Sequence, residues 1–372
     1  MVEEIITALS KVRWFFVIAR NSSFTYKGRA IDLRQVGREL GVRYLHLLEG
    51  SVRKAGDRVR VSGQLIEAAT GSHLWAERYD RAIADIFAVQ DEITERVVAA
   101  IEPQIYAAEH FRSERKPPEN LDAWECVIRT LSYMAQGTRA GDAEAKILCR
   151  RAIAIAPSYS QAHSLLAWLL IRASWSGGEV GAHHPAEARA QAQTALRLDE
   201  TDSWAQVTHG MVLWRSRRHG EAAREFRRAL ELNPNFALAH ALLAVAFAVD
   251  GAPAAAAQSA EHALRLSPSD RLVDFYAIRA MKYACFAEKN YRGSLDWTGR
   301  LVDRYPEYTA GITWLVAIAA LEGDMETAAD ALATLRSRRP TASLAWMREN
   351  VQHSGDILER LLTGLRIAGL PD

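Results

Sequence analysis

The sequence has few cysteines, and their spacing excludes two kinds of scaffold. Cys126, Cys149 and Cys285 are the only three in 372 residues, and no two of them form a Cys-x-x-Cys pair. A disulfide framework needs an even and dense set of cysteines, and a zinc site needs closely spaced ligands. We therefore predict three reduced, buried and inert thiols.

An excess of charge of one sign is also missing. Lys and Arg total 46 against 45 for Asp and Glu, which gives a net charge of +1. The balance holds in residues 1–110, with 15 side chains of each sign, and in residues 120–372, with 28 of each. Binding to nucleic acid or to an anionic membrane needs a cationic surplus, so we expect no nucleic-acid partner.

Long apolar runs are absent as well. The longest, such as residues 241–249, fall far short of the ~18 residues that cross a bilayer. The opening residues Met1-Val2-Glu3-Glu4 are acidic, whereas a secretion signal begins with positive charge. These features predict a chain without a membrane span that works in the cytoplasm.

Sequence motifs of catalysis are not present. The chain contains no G-x-x-x-x-G-K-[ST], G-x-S-x-G, H-E-x-x-H or G-x-G-x-x-G pattern. The adjacent His183 and His184, near Glu179, stand in a glycine-rich insertion where they rarely converge on one ion. We predict no catalytic, cofactor-binding or metal-binding residues, and hence a chain that is not an enzyme and takes no cofactor.

What the sequence does contain is an internal repeat marked by prolines. Six landmark positions recur at intervals of 43, 34, 34, 38 and 34 residues: Pro157, Glu200, Pro234, Pro268, Pro306 and Pro340. Small residues stand twelve positions before each landmark: Ala145, Ala188, Ala222, Ala256, Ser294 and Ala328. Five positions before the landmarks stand Ala152, Ala195, Ala229, Ala263, Leu301 and Leu335, on the same helical face. Each landmark predicts the end of a helix that packs closely on a neighbour.

This pattern resembles the tetratricopeptide repeat, a helix-turn-helix unit of 34 residues. The third unit matches best, with Gly210 in the close-packing position of its first helix and Phe226 in its second. The resemblance implies about six units over residues 121–340, stacked into a superhelix whose concave face binds a protein or peptide.

On that concave face the candidate partner-binding residues are Trp204, Val207, Met211 and Trp214, which form one stripe of the best-formed first helix. Large aromatic residues at helical spacing also suit the core, and this alternative stays open. The arginines at 215–228 alternate with Glu221 and Glu225, which favours a solvated, salt-bridged face.

The amino-terminal part follows a different period. Residues 58–65 alternate polar and apolar, which predicts a strand with one buried face. Further strands are predicted at 47–54 and 73–79, and helices at 3–11, 32–40 and 83–101. The apolar residues 15–19 form another strand candidate. The domain is therefore α+β or α/β.

Several stretches here resemble the TolB amino-terminal module of bacteria. They include Gly50-Ser51-Val52-Arg53, Gly56-Asp57-Arg58-Val59 and Leu74-Trp75-Ala76-Glu77-Arg78-Tyr79-Asp80. In that family the module lies between an effector, often a class III adenylate cyclase or a winged-helix domain, and tetratricopeptide repeats. The resemblance also implies an apolar strand before residue 3, so the chain is expected to be truncated at its start.

The sequence thus predicts a mainly α chain, a superhelix of tetratricopeptide repeats preceded by a small α+β domain. Its predicted divisions are residues 1–110 for the TolB-like domain, 111–120 for a linker, 121–340 for the repeats and 341–372 for capping helices. The function expected is a non-catalytic regulatory scaffold in bacterial signal transduction linked to adenylate cyclase. Two alternatives remain: part of a cyclase whose catalytic domain is missing, or a transcription regulator without its winged-helix domain.

Overall fold

The computed structural model describes residues 2–12, 17–18, 22, 25–26, 35–36, 39, 46–68, 70–82, 86–114, 121–173, 185–268, 270–351, 353 and 355–372. Within these residues the chain forms sixteen helices and three strands, which confirms the mainly α fold class with a small amino-terminal sheet. It divides into two compact units, Met1–Leu121 and Asp122–Asp372. None of the helices in the described parts of the chain has the length and apolarity that crossing a membrane requires.

The first unit is a three-stranded antiparallel sheet with two helices. Its elements in chain order are α1 Val2–Ser10, β1 His46–Ala55, β2 Arg58–Glu67, β3 His73–Ala82 and α2 Ile86–Glu114. The strands lie in the order β1-β2-β3. Gly56 and Asp57 link the first two, and Gly56 has a φ of 59°, a left-handed conformation that glycine adopts without a steric penalty.

One face of this sheet is buried against the helices because its strands alternate. Val59, Val61 and Leu65 of β2 are buried, whereas Arg58 and Arg60 are exposed. The buried side chains join a core with Ile5 of α1 and Ile93 of α2. Arg60 forms an ion pair with Asp80 of β3 at 2.6 Å on the other side of the sheet. The predicted one-sided strand is confirmed.

The helical flanks agree with the sequence in part. The helix predicted at 3–11 is α1, and the one predicted at 83–101 begins at Ile86 in the structure but continues to Glu114, into the segment predicted as a linker. Residues 106–109, Tyr-Ala-Ala-Glu, include good helix formers that extend it beyond Pro103. The strand candidate at 15–19 and the helix at 32–40 lie mostly outside the described residues, as do 115–120 of the linker.

The second unit consists of helices in successive pairs. The first helices of the pairs are α3 Ala123–Gln136, α5 Ser160–Ala173, α7 Ser203–Arg215, α9 Ala237–Val249, α11 Arg271–Ala287 and α13 Thr309–Glu322. The second helices are α4 Arg139–Ile155, α6 Pro185–Leu198, α8 His219–Leu232, α10 Pro253–Leu266, α12 Tyr291–Arg304 and α14 Met325–Arg338. Two more helices follow, α15 Leu344–Asn350 and α16 Gly355–Ile367.

The repeat frame read from the sequence fits these pairs. Every second helix ends two residues before its landmark, as α8 does at Leu232 before Pro234. The twelve small or apolar residues of the frame are all buried, none being more than 4% exposed. Gly210 of α7 shows why the frame selects small residues. A Cβ atom at that position would lie 2.6 Å from the Phe226 ring of α8, so only glycine permits this approach.

Candidate partner-binding site

The four residues predicted to bind a partner lie in the core of the second unit. Trp204 is 9% exposed, Val207 0%, Met211 2% and Trp214 3%. None of them presents a surface to a partner in this structure. This burial fits the alternative for the two aromatic residues, a role in packing, and the assignment of the four residues to a partner stays a prediction.

These side chains are enclosed because the first helices pack across the interior of the superhelix. The Trp204 ring lies 5.8 Å from the Trp168 ring of α5. The Trp168 ring in turn lies 6.1 Å from the ring of Tyr276 on α11, three pairs further along the chain. Arg139 of the first pair also meets Glu307, beside the sixth pair, at 3.4 Å. The inner face of the superhelix therefore serves as a core, which a single repeat does not reveal.

Part of the inner face is covered by the end of the chain itself. We call residues 344–367 the C-terminal strap; it comprises α15, α16 and the residues between them, of which 352 and 354 are outside the described set. Arg217, at the end of α7, donates through Nη2 to the carbonyl oxygens of Arg348 at 2.9 Å, Glu349 at 3.0 Å and Val351 at 2.8 Å. The strap therefore reaches back from the sixth pair to the third.

Among the described residues of the strap, His353 is the most deeply buried polar one, at 3% exposure. Its Nε2 atom lies 2.9 Å from the hydroxyl oxygen of Tyr283 on α11. Its ring centroid is 4.9 Å from that of Tyr283 and 5.3 Å from that of Trp314 on α13. On the other side lies the ring of His219, at 6.4 Å. His353 thus fills a site between α8, α11 and α13.

The α16 helix secures the other half of the strap. Arg360 donates through Nη1 to the carbonyl oxygen of Phe286 at 2.6 Å, and its guanidinium carbon lies 4.8 Å from the Phe286 ring centroid. Gly364 packs directly on the backbone of α13, since a Cβ atom there would lie 2.3 Å from the carbonyl oxygen of Ala317. Leu361 and Leu365 are fully buried. The helix is held by apolar packing and by one close backbone contact.

Two cations lie beneath the strap on α11. Lys282 is 0% exposed, and its Nζ atom stands 3.7 Å from the Tyr283 ring centroid and 4.0 Å from that of Trp314. Among the described residues Nζ has no hydrogen-bond partner. Arg279, one turn earlier, is 5% exposed, and its guanidinium carbon lies 5.3 Å from the ring centroid of Phe275. Cation–π contact stabilises both positions, by roughly 2 kcal/mol or more when desolvated.

Burial and neighbouring positive charge lower the pKa values of two groups in this cluster. Burial lowers the pKa of Lys282 well below the ordinary lysine value, and the charge of Arg279 lowers it further. The pKa of His353 is also well below its ordinary value, first because of burial and then because of Lys282, Arg279, His219 and Arg217. At neutral pH the lysine is therefore driven toward its neutral form, and the imidazole is neutral.

Sequence reasoning missed this cluster, although a signal was present. Arg279 and Lys282 stand at helical spacing in a mostly apolar helix.

In the arginine-rich stretch the predicted salt-bridged face is confirmed for Arg218, paired with Glu221, and for Arg228, paired with Glu231 at 2.8 Å. Arg217 departs from that prediction because it binds strap carbonyl groups instead.

The cysteines take no part in the site. All three cysteines are unpaired; Cys126 and Cys149 are buried and Cys285 is half-buried. Burial raises the pKa of Cys149 to about 12, which keeps the thiol protonated and unreactive. His183 and His184 lie outside the described residues. In the part of the chain that is described, no three His, Cys, Asp or Glu residues are grouped as metal ligands.

Comparison with known proteins supports the repeat assignment. Residues 207–271 match the model of the tetratricopeptide repeat family. A curated relative, "Putative adenylate cyclase 3" of Rhizobium meliloti (strain 1021), is 41% identical over 223 residues, which is 59% of this chain. The match covers only 37% of that relative, so the chain corresponds to little more than a third of it.

Solved structures similar to this chain include two with low sequence identity. Pseudomonas aeruginosa PilF is 20% identical, with 58% of this chain and 91% of PilF covered and a TM-score of 0.38. The Cut9–Hcn1 hetero-tetramer of the APC/C is 14% identical, with 74% and 52% covered and a TM-score of 0.49. The landmark spacing, the paired helices and the family match thus agree on tetratricopeptide-type repeats around residues 207–271.

Proposed function

We propose that this chain is a non-catalytic regulatory scaffold of bacterial signal transduction, which binds a protein partner through its helical repeats. The observation that supports this most directly is the Arg217 side chain, which holds three carbonyl oxygens of a passing peptide segment. Arginine donors aimed at main-chain acceptors bind a peptide through groups that every peptide carries. We assign to the partner the part of the inner face that the C-terminal strap covers, beside Arg217 and between α8, α11 and α13.

The link to cyclic nucleotide signalling rests on the 41% identical relative named as a putative adenylate cyclase. We propose that the chain acts beside a cyclase catalytic domain, in the cytoplasm, rather than as a cyclase itself. The TolB-like resemblance of residues 1–110, ahead of repeats at 121–340 and capping helices at 341–372, agrees with such an arrangement. Part of a cyclase remains the alternative that the relative favours.

Photo-crosslinking tests the proposed binding surface. Benzoylphenylalanine is placed at Ser216, an exposed residue next to Arg217, and in a second protein at Arg292, on the exposed side of α12. We expect the first position, beside the assigned surface, to capture one discrete protein in cells, identified by mass spectrometry, and the second to capture none. Equal capture at both positions contradicts the assignment.

A direct assay tests the non-catalytic part of the proposal. Purified full-length chain is incubated with ATP and Mn²⁺, and cAMP is measured. We expect no cAMP above a protein-free blank, because the sequence contains no glycine-rich phosphate-binding loop. Turnover that rises in proportion to the protein concentration contradicts the proposal and favours the cyclase alternative.

A further inference from the structure

Lys282 is an anomaly in an otherwise apolar interior. Its ammonium group is fully buried and has no hydrogen-bond partner among the described residues. A buried ionisable group without a partner destabilises the folded state, and a methionine would fill the same space without that penalty. Departures of this kind concentrate at functional sites, where the unfavourable arrangement is relieved in another state.

Among the residues that the structure describes, the surroundings of Lys282 supply no compensating carboxylate. The charged side chains that act on Lys282 and His353 are basic on every side: Arg279 on α11, Arg217 and His219 at the α7–α8 turn, and the two groups themselves. The neighbouring rings of Tyr283 and Trp314 offer only their π faces. The covered surface therefore has a positive potential that a partner with carboxylates would neutralise.

The strap provides hydrogen-bond partners for only some of the polar groups on this surface. It gives Arg217 main-chain carbonyl oxygens and places an imidazole against Tyr283, but none of its described residues brings an acceptor to Lys282. A segment with a carboxylate at the place of His353 would form the ion pair that the strap leaves unmade. Such a segment would bind this surface more strongly than the strap does, residue for residue.

We propose that an acidic segment of the protein partner competes with the C-terminal strap for this surface, where Arg279 and Lys282 bind its carboxylates. This proposal rests on the partner-binding function proposed above. A peptide is favoured over a nucleic acid because these cations lie among the rings of Phe275, Tyr283 and Trp314. Those rings accept an apolar side chain beside each carboxylate, whereas a phosphate backbone needs exposed cations along its length. The strap thus keeps the surface covered until an acidic segment displaces it.

Gly364 gives a means of displacing the strap without touching the cations. A methyl group there would meet the backbone of Ala317 at 2.3 Å, and backbone atoms do not move aside. Gly364→Ala should therefore lift α16 from α13. Gly299→Ala, at a helix position with no atom within 4 Å of the new methyl group, is the matched control. Arg360→Ala removes the strap's own donor to the Phe286 carbonyl oxygen without steric strain and serves as a second variant.

The experiment measures fluorescence anisotropy of a labelled peptide of alternating leucine and glutamate, acetylated and amidated, with full-length protein. We expect Gly364→Ala and Arg360→Ala to bind it about tenfold more tightly than the wild type, since the competent state becomes more populated. Gly299→Ala should bind as the wild type does. Adding Lys282→Met to Gly364→Ala should weaken binding about tenfold, and a glutamine version of the peptide should bind poorly to every variant.

Calorimetry in buffers of different ionisation enthalpy adds a second readout. Peptide binding should take up protons, because a lysine paired with a carboxylate regains the proton that burial removed. The inference is overturned if both strap variants bind the glutamate peptide no better than the wild type, or if Lys282→Met changes nothing. Tight binding of an oligodeoxythymidine in place of the peptide also overturns it. Capture of a partner at Ser216 would still support the proposed function in any of these cases.

Discussion

The Arg217 side chain donates a hydrogen bond of 2.8 Å to the carbonyl oxygen of Val351, although 134 residues separate the two along the chain. This contact joins the third helical pair to the segment that follows the sixth. The repeats otherwise contact mainly their neighbours in sequence, and this contact brings the carboxyl-terminal segment back onto an earlier helical pair. The interior of the superhelix is thereby a core rather than an open groove.

Removing the Arg217 side chain should loosen α15. Arg217→Ala deletes the donor for three carbonyl oxygens, and we expect a loss of about 1 kcal/mol of stability because the bonds are exposed to solvent. Hydrogen–deuterium exchange should quicken in 344–351 and stay unchanged in α7. Arg218→Ala, which removes only an exposed pair with Glu221, is the control and should leave exchange in the strap as it is.

Replacing Lys282 should stabilise the protein and change its pH dependence. Burial lowers the pKa of this lysine, so between that value and about 10.4 the unfolded chain holds a proton that the folded chain lacks. The free energy of unfolding should therefore rise with pH, and Lys282→Met should be more stable at pH 7 by about 1 kcal/mol or more.

Urea unfolding at pH 7 and pH 9 measures this effect below the range in which tyrosines ionise. We expect the gain from Lys282→Met to shrink as the pH rises. Lys289→Met, at an exposed position in the connection between α11 and α12, should show no such trend. A gain that is the same at both pH values would mean that Lys282 keeps its proton in the folded protein.

Acid should release the strap through His353. The pKa of this histidine is well below its ordinary value, so below about pH 6.5 the unfolded state binds a proton that the folded state excludes. Stability from the neutral imidazole is complete above that pH and falls as the pH drops. The bases Lys282, Arg279 and His219 around it oppose protonation as well.

Tryptophan fluorescence offers a readout, since Trp314 lies 5.3 Å from the His353 ring. Its emission should shift to the red between about pH 6.5 and pH 5, as water reaches the ring. His353→Phe, which has no proton to gain, should flatten this change. An identical acid transition in the variant would assign it to another group.

Trp204 should behave as a core residue. Trp204→Ala removes a ring that is 9% exposed and lies 5.2 Å from the Phe236 ring, and we expect a loss of about 3–5 kcal/mol in the free energy of unfolding. Denaturant melts measure this. If the variant is as stable as the wild type, Trp204 does not stabilise the core and remains a candidate for binding a partner.

The close approach of α7 and α8 should depend on Gly210. Gly210→Ala places a methyl carbon 2.6 Å from the Phe226 ring, and we expect a destabilisation of about 1–3 kcal/mol, seen as a lower melting temperature. Gly220→Ala, in the same helical pair but with open space around the new methyl group, should be neutral or slightly stabilising. Equal melting temperatures for the two variants would contradict the packing described for this pair.

The sequence by itself determined the repeat. Proline and the residue before it cannot continue a helix, and small residues at a fixed spacing let two helices approach, so the frame from Ala145 to Pro340 predicts every second helix and its end. Alternation in residues 58–65 likewise predicts the strand and its buried face. These rules depend on residues that are close together in the sequence, so the spacing of residue types along the chain is enough to apply them.

Only the tertiary structure decided which faces of the repeat helices are buried. The stripe from Trp204 to Trp214 has the pattern of a binding surface, but packing between α5 and α11 encloses the interior in which it lies. Periodicity shows that a residue shares a face with others and leaves open what covers that face. For Lys282 the cover includes His353 from the far end of the chain, a contact between distant residues that no local pattern encodes.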